Sequence, residues 1–146
     1  MTYATDVVIS ITIVVRRENM KLTEPEWIIM NALWEKHPAR ARDIFEQLPD
    51  TVSWAYTTVK TMLDRLVEKK AVSKSKKGNA GLYEPRLSRR QARRTALRMV
   101  LDRAFDGAFG PMMYFLVEDE NMSAGQRQML IEILSGKSRN KENKND

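Results

Sequence analysis

The sequence predicts a mainly α-helical protein with one small β-hairpin, and three observations support this fold class. Apolar residues recur at helical spacing in six segments between Thr23 and Leu134. One further segment, "AVSKSKKGNAGLYEP", instead alternates with a period of two around a glycine-rich turn. The chain has 146 residues, 42% of them apolar, which is enough for one ordinary domain or a small domain with an appendage.

The first two predicted helices lie between Thr23 and Pro49. Thr23 precedes "EPEWIIMNALWEK"; its hydroxyl can cap that helix, and Pro25 is tolerated in the first turn. His37–Pro38 ends the helix, since a residue before proline is driven out of the helical conformation. A second, short helix is predicted over "RARDIFEQL". The buried stripe of the first helix is predicted to contain Trp27, Met30, Leu33 and Trp34.

The third predicted helix, Ser53 to Lys69, has two chemically distinct faces. One arc of roughly 140° carries only apolar residues, namely Val59, Met62, Leu63, Leu66 and Val67. The opposite arc carries Thr57, Thr58, Lys60, Thr61, Asp64, Arg65 and Glu68. Most surface helices present long charged side chains to water. Short hydroxyls with two cations are more typical of a surface that contacts another molecule.

The rest of the chain is predicted to hold the hairpin and three more helices. The hairpin turns at Gly78–Gly81, and Pro85 limits its return strand to a sheet edge or a strand end. Ser88 starts the next helix, which Gly107 and Gly110–Pro111 are expected to break. Two shorter helices follow over "MMYFLVED" and "AGQRQMLIEIL", the second of them capped by Ser123.

The positive charge is concentrated in one part of the chain. The net charge is +6 and the pI is about 9.7. Lys60 to Arg98 holds thirteen Lys or Arg and three acids, a net of +10, while the remaining residues have a net of −4. This distribution favours an acidic partner, although ribosomal and membrane-surface proteins share a basic balance.

The composition argues against an enzyme. The absence of cysteine excludes disulfides, thiolate metal sites and cysteine nucleophiles. His37 is the only histidine, and no Gly-rich phosphate loop, metal-ligand cluster or Ser/His/Asp set appears. We therefore expect no catalytic residues, no cofactor and no metal.

The N-terminal extension, residues 1–20, includes an apolar run at Val7–Val15 that is too short to span a bilayer. Asp6 precedes the run and Arg16–Arg17 follow it, which is the reverse of the order of charges in a signal peptide. Its alternating isoleucines favour a strand, and an equal alternative is that the true start is Met20. We expect a cytoplasmic protein without membrane insertion.

Three helices followed by a hairpin within about 65 residues is the order of the winged helix-turn-helix domain, whose second turn-motif helix lies in the major groove of DNA. Short threonines allow close approach and their methyls can contact thymine, while cations can pair with phosphate or guanine. The candidate DNA contacts are Thr57, Thr58, Lys60, Thr61 and Arg65 on the helix and Lys74, Lys76 and Lys77 on the hairpin. The alternative is a basic RNA-binding or protein-interaction module without sequence-specific DNA readout, although only Tyr83 offers a strand aromatic for RNA bases.

Three stretches also resemble a known family: "LTEPEWIIMNALWEKHPARARDIFEQL", "SWAYTTVKTMLDRLVEKKAV" and "GLYEPRLSRRQARRTALRMVLDRAFDG". They resemble the penicillinase-repressor family of bacteria (BlaI/MecI/CopY type) from about Leu22 to Leu134. The signature is L-T-x-x-E-W-x-[IV]-M followed by W-x-Y-T-T-V-x-T-x-L-x-R-L. The resemblance implies a homodimeric transcriptional repressor bound to an operator of dyad symmetry, with contacts on the same five helix residues and a wing at Lys76–Gly81.

We therefore expect a DNA-binding domain over residues 21–87, a helical dimerisation domain over 88–135 and a disordered polar tail over 136–146. The C-terminal helices are short and apolar on one side, so a lone copy could hardly bury them whereas two copies could. Folding back onto the N-terminal domain is the alternative. The candidate dimerisation residues are Leu97, Val100, Leu101, Met112, Met113, Phe115, Leu116, Met129, Leu130, Ile133 and Leu134.

The sequence departs from the family pattern at several positions. The family usually has glycine at Lys70, where a left-handed residue would cost about 1 kcal/mol, and often serine at Ala55. In members released by a membrane sensor protease encoded nearby, an Asn-Phe bond is cut. The aligned bond is Phe115–Leu116, which argues against that release mechanism. Without cysteine, the mechanism of the copper-responsive branch is excluded.

Overall fold

Three helices followed by a β-hairpin form the first part of the protein. The computed structural model describes residues 20–136. Its first elements are α1 (Glu24–Glu35), α2 (Ala41–Glu46), α3 (Tyr56–Glu68), β1 (Val72–Lys77) and β2 (Ala80–Pro85). This is the order of a winged helix-turn-helix, so the predicted fold class is confirmed. The predictions for residues 1–19 and for the tail from residue 137 lie outside the described residues.

The chain divides into two units between Thr95 and Ala96, within α4 (Arg89–Ala104). The second unit contains the end of α4 together with α5 (Phe109–Glu118) and α6 (Ala124–Leu134).

Helix α1 starts as its sequence predicts. The Thr23 hydroxyl accepts from the Glu26 backbone N–H at 3.4 Å, and the Glu26 carboxylate accepts from the Thr23 N–H at 2.9 Å. This reciprocal pair satisfies two of the backbone donors that a helix N-terminus leaves free. The helix ends at Glu35, just before His37–Pro38, as predicted.

The core of the first unit lies where α1, α2, α3 and the hairpin meet. The predicted stripe of α1 is confirmed in part: Met30 and Leu33 are buried, whereas Trp27 and Trp34 pack at the edge of the core. The two tryptophan rings meet edge to face, 5.7 Å apart, and the Trp34 Nε1–H donates to the Leu87 carbonyl at 2.9 Å. The other large, fully buried side chains of this core are Ile29, Ile44, Val59, Leu63, Leu66 and Leu87.

The hairpin is tighter than its sequence suggests. Lys77 pairs with Ala80, so only Gly78 and Asn79 form the turn, and Gly78 adopts a φ of 65° that suits glycine. Strand β2 is also tied to the segment before α2. Tyr83 and Ala39 exchange two backbone hydrogen bonds, at 2.8 and 3.1 Å.

In the second unit, Leu101 is buried and the rings of Phe105 and Phe115 lie 5.8 Å apart. Gly110–Pro111 was expected to break a helix, but it lies inside the first turn of α5. That turn tolerates proline because its N–H groups have no partner within the helix. Ser123 caps α6 through a reciprocal pair with Gln126, as predicted.

Candidate nucleic-acid interface

Helix α3 separates its buried and exposed residues as the sequence predicts. Val59, Leu63 and Leu66 are fully buried in the core of the first unit. The opposite side, here called the outer face of α3, exposes Thr57, Lys60, Thr61 and Arg65. Thr58 is half-buried at the border between the two sides. The structure thus brings four predicted contact residues onto one exposed surface and places Thr58 beside it.

The acidic residues of α3 are confined to its C-terminal half. Asp64 and Glu68 are exposed there, whereas the first turn carries no acidic residue. A polyanion would be repelled by these carboxylates but not by the threonines and the lysine nearer the start. The first two turns of the outer face therefore offer a nucleic acid a surface without acidic residues, and Arg65 adds a cation in the third turn, next to Asp64.

Helix α3 begins three residues later than predicted, at Tyr56 instead of Ser53. Ala55 occupies the N-cap position, and its carbonyl accepts from the N–H groups of Thr58 and Val59 at 3.0 and 3.3 Å. Among the described residues, no side chain forms a capping hydrogen bond at this end of the helix.

The Thr61 hydroxyl is already engaged within the helix. Its Oγ1 donates to the Thr57 carbonyl at 3.0 Å. Such a bond between residues four apart fixes the rotamer of the side chain and leaves its oxygen as an acceptor only. The Thr61 methyl group is therefore held in one orientation on the outer face.

The other end of α3 is fixed by a Schellman motif. The Ala71 N–H donates to the Leu66 carbonyl and the Lys70 N–H to the Val67 carbonyl, both at 3.0 Å. Lys70 has a φ of 64°, so this position is left-handed and the cost given above for a non-glycine residue applies. A lysine here is strained where glycine would not be.

A buried carboxylate joins the end of α3 to the start of α1. The Lys69 ammonium lies 2.7 Å from Glu26 Oε2 and also donates to the Lys21 carbonyl at 3.2 Å. Burial raises the pKa of the Glu26 carboxyl. The hydrogen bonds from Lys69 and from Thr23, with the charge of Lys69, outweigh burial and hold the pKa below its ordinary value. Glu26 therefore stays charged and fixes the C-terminal end of α3.

The three lysines predicted on the hairpin are exposed, but they differ in what they contact. Lys74 Nζ lies 5.5 Å from the centre of the Tyr83 ring, in the range of a cation–π contact. Lys76 and Lys77 precede the turn and have no ion-pair partner within residues 20–136. The turn thus carries two uncompensated cations.

Sequence analysis missed one cation beside the outer face of α3. The Arg42 guanidinium, on α2, lies 4.6 Å from the centre of the Tyr56 ring, and Lys60 Nζ lies 6.0 Å from the same ring. Arg42 and Tyr56 are 14 positions apart on different helices, so no periodicity links them. The only signal in the sequence is that Arg42 is a cation at the start of the helix that precedes α3 in the turn motif.

The second unit exposes much of its apolar surface. Phe115 is 66% exposed, Leu134 is 67% exposed and Met129 is 59% exposed. The other predicted dimerisation residues that are exposed are Leu97, Val100, Leu116 and Ile133. Met112, Met113 and Leu130 are half-buried, whereas Leu101 is 1% exposed and packs within a single copy.

Phe115 and Leu116, the residues aligned with the family's cleaved bond, both lie inside α5 and are exposed. Separately, residues 20–136 contain no group of three His, Asp or Glu that could hold a metal ion. Within that range no helix is long and apolar enough to cross a membrane.

Comparisons with known proteins agree with the sequence pattern. A family model described as "Penicillinase repressor" matches residues 22–136. The penicillinase repressor of Bacillus licheniformis is 25% identical over 123 residues, which cover 84% of this chain and 96% of that one. The methicillin resistance regulatory protein MecI of Staphylococcus aureus (strain N315) is 24% identical over 117 residues, which cover 80% of this chain and 95% of MecI. A solution structure of B. licheniformis BlaI in monomeric form with the blaP half-operator is 25% identical, covers 50% of this chain and 89% of that one, and has a TM-score of 0.44.

Proposed function

Since the chain belongs to the penicillinase repressor family, we propose that it represses transcription by binding an operator of dyad symmetry as a homodimer. The first turns of α3 enter the major groove, and the hairpin acts as a wing on the adjacent backbone. Repression requires access to chromosomal DNA and no catalytic step. We therefore propose a cytoplasmic protein that is not an enzyme.

The observation that carries this proposal is the outer face of α3. Its first two turns expose threonines and Lys60 without any acidic residue, and the exposed cations of the wing belong to the same unit. A surface kept only for solubility would carry charges of both signs, whereas the first two turns of α3 carry one cation and no acidic residue. Short side chains let the end of a helix approach a polyanion closely, and positive charge at that end attracts it.

Each residue of the proposed interface has a role that follows from its chemistry. Lys60 and Arg65 can pair with phosphate or with guanine O6 and N7, and Arg65 can do so with both arms of its guanidinium. Thr57, Thr58 and Thr61 offer methyl groups to thymine and hydroxyl oxygens to base amino groups. Lys76 and Lys77 can neutralise phosphates and carry no sequence information.

Dimerisation is supported by the exposed apolar residues of the second unit. Phe115, Met129 and Leu134 cost free energy in water, at about 25 cal/mol for each Å² of apolar surface left uncovered. A second copy can cover them through a symmetric interface, which also matches two half-sites related by a dyad. We propose domains over residues 21–87 and 88–135, with Leu101 packing inside each copy instead of across the interface.

The proposal is tested by selecting duplexes from a random library with the purified protein and sequencing those that are retained. We expect an inverted repeat whose half-sites are separated by whole turns of the helix. If about six cations contact phosphate, affinity for the selected duplex should fall roughly a thousand-fold between about 50 and 200 mM salt. A library without an enriched repeat, or equally tight binding of single-stranded RNA, would contradict the proposal.

A further inference from the structure

Two cations from different helices meet at one aromatic ring in the first unit. Arg42 Cζ, on α2, lies 4.6 Å from the centre of the Tyr56 ring, and Lys60 Nζ, on α3, lies 6.0 Å from it. Tyr56 is held in place by an edge-to-face contact with Phe45, at 5.8 Å and an interplanar angle of 77°. Because Tyr56 is the first residue of α3, this cluster lies next to Thr57 on the outer face.

No carboxylate within residues 20–136 compensates the charge of Arg42. Its neighbour Arg40 pairs with Asp43 through two contacts of 3.0 Å. Glu46 stands one turn after Arg42 on α2, the spacing at which helical ion pairs form. Even so, Arg42 forms no ion pair with any carboxylate between residues 20 and 136. Its guanidinium lies over two rings instead, with Phe45 at 5.9 Å.

These contacts leave the hydrogen-bond donors of the guanidinium available. A cation–π contact is an electrostatic attraction to the ring, so it uses none of the five N–H donors of arginine. Those donors form a fork that matches two oxygens of a phosphate group, and the ring limits the rotamers that must be fixed on binding. Arg42 is also exposed, so an anion can reach it.

We propose that Arg42 is a phosphate contact of the protein, binding a phosphodiester of the duplex on which α3 lies. Tyr56 is the positioning residue that holds the guanidinium. The inference rests on the proposed function and adds a contact from α2, outside α3 and the wing. Lys60, beside the same ring, adds a second positive charge that attracts the same backbone.

The test measures binding of fluorescent duplexes by anisotropy over a range of salt concentrations. The probes are the duplex selected from the random library and a pool of random-sequence duplexes. Arg42→Ala should weaken binding to both by about ten-fold and reduce the slope of log K against log salt by about one per protomer. Arg42→Lys should lose less, because it keeps the charge without the planar fork. Arg127→Ala removes an exposed arginine from α6 and is the matched control, expected to change neither quantity.

The role of Tyr56 is tested with a second pair of variants. Tyr56→Phe keeps the ring and should preserve affinity and salt slope, whereas Tyr56→Leu should lower both as Arg42→Ala does. The double variant of Arg42→Ala and Tyr56→Leu should lose no more than either change alone. Fully additive losses would show that Tyr56 does not act through Arg42.

Different failures have different meanings. If Arg42→Ala has the same affinity and salt slope as Arg127→Ala while the wild type binds DNA, Arg42 does not contact phosphate and the proposed function stands. If the loss is confined to the selected duplex, Arg42 contacts a base and the phosphate assignment is overturned. If inorganic phosphate, replacing chloride at constant ionic strength, weakens DNA binding by the wild type but not by Arg42→Ala, the anion competes at Arg42, which supports the phosphate contact. A wild type that binds no duplex would overturn both proposals.

Discussion

Replacing Lys70 by glycine should stabilise the first unit. Lys70 is the left-handed residue of the Schellman motif that ends α3, with a φ of 64°. A residue with a Cβ pays about 1–2 kcal/mol for this conformation. Glycine avoids that cost but gives the unfolded chain more freedom, which offsets about 0.5–1 kcal/mol. The Lys70 side chain is exposed and has no ion pair between residues 20 and 136, so its removal costs little. The expected net gain in unfolding free energy is about 0.5–1 kcal/mol, or roughly 4 °C in Tm for a unit of this size.

The assay for Lys70→Gly is urea and thermal unfolding followed by tryptophan fluorescence. All three tryptophans, Trp27, Trp34 and Trp54, belong to the first unit, so the signal reports that unit within the full chain. Lys70→Ala is the matched control because it removes the same ammonium and keeps the left-handed strain. If Lys70→Gly is no more stable than Lys70→Ala, the lysine is not strained at this position and the reasoning is refuted.

Four further substitutions test the ion pair between Glu26 and Lys69, the proposed DNA interface and the proposed dimer. Glu26→Gln should cost about 2 kcal/mol at neutral pH by removing the carboxylate partner of Lys69. The pKa of Glu26 in the folded protein lies below its unfolded value of about 4.5, so its carboxylate is protonated as the pH falls below that value. The loss of unfolding free energy in Glu26→Gln, measured by urea titration, should therefore shrink at low pH. A loss that stays constant with pH would contradict the ion pair. Arg65→Ala should relax base preference in the library selection, whereas Lys76→Ala should weaken binding to all duplexes equally. If Arg65→Ala also lowers affinity equally for selected and random duplexes, Arg65 does not contact a base. Phe115→Asp should weaken self-association at least about ten-fold in sedimentation equilibrium while tryptophan-monitored stability is kept; an unchanged dimer would place the interface elsewhere.

Much of the first unit was predictable because its signals are local. The buried face of α3 follows from the helical repeat of Val59, Leu63 and Leu66, and the start of α1 follows from Thr23 with Glu26 three residues later. The glycine that the family usually has at Lys70 marked this position as a candidate for the left-handed conformation that the structure shows. These features depend on a few residues close together in the chain.

Features that depend on contacts between distant segments were not predictable. The sequence predicts that α3 starts at Ser53, but Trp54 packs against the core and the helix starts only at Tyr56. The position of Arg42 over the Tyr56 ring depends on how α2 packs against α3, which no spacing in the sequence encodes. In the second unit, the helical repeat did not separate Leu101, which is buried within one copy, from its exposed neighbour Val100.

The engaged hydroxyl of Thr61 limits which base edges it can recognise. Its proton is committed to the Thr57 carbonyl, so toward a base the oxygen can only accept. Adenine N6 and cytosine N4 carry protons in the major groove, whereas guanine O6 and N7 do not, and thymine adds a methyl group that the threonine methyl can meet. A guanine opposite Thr61 would therefore be disfavoured, and the operator position that this residue faces should be biased toward A, C or T.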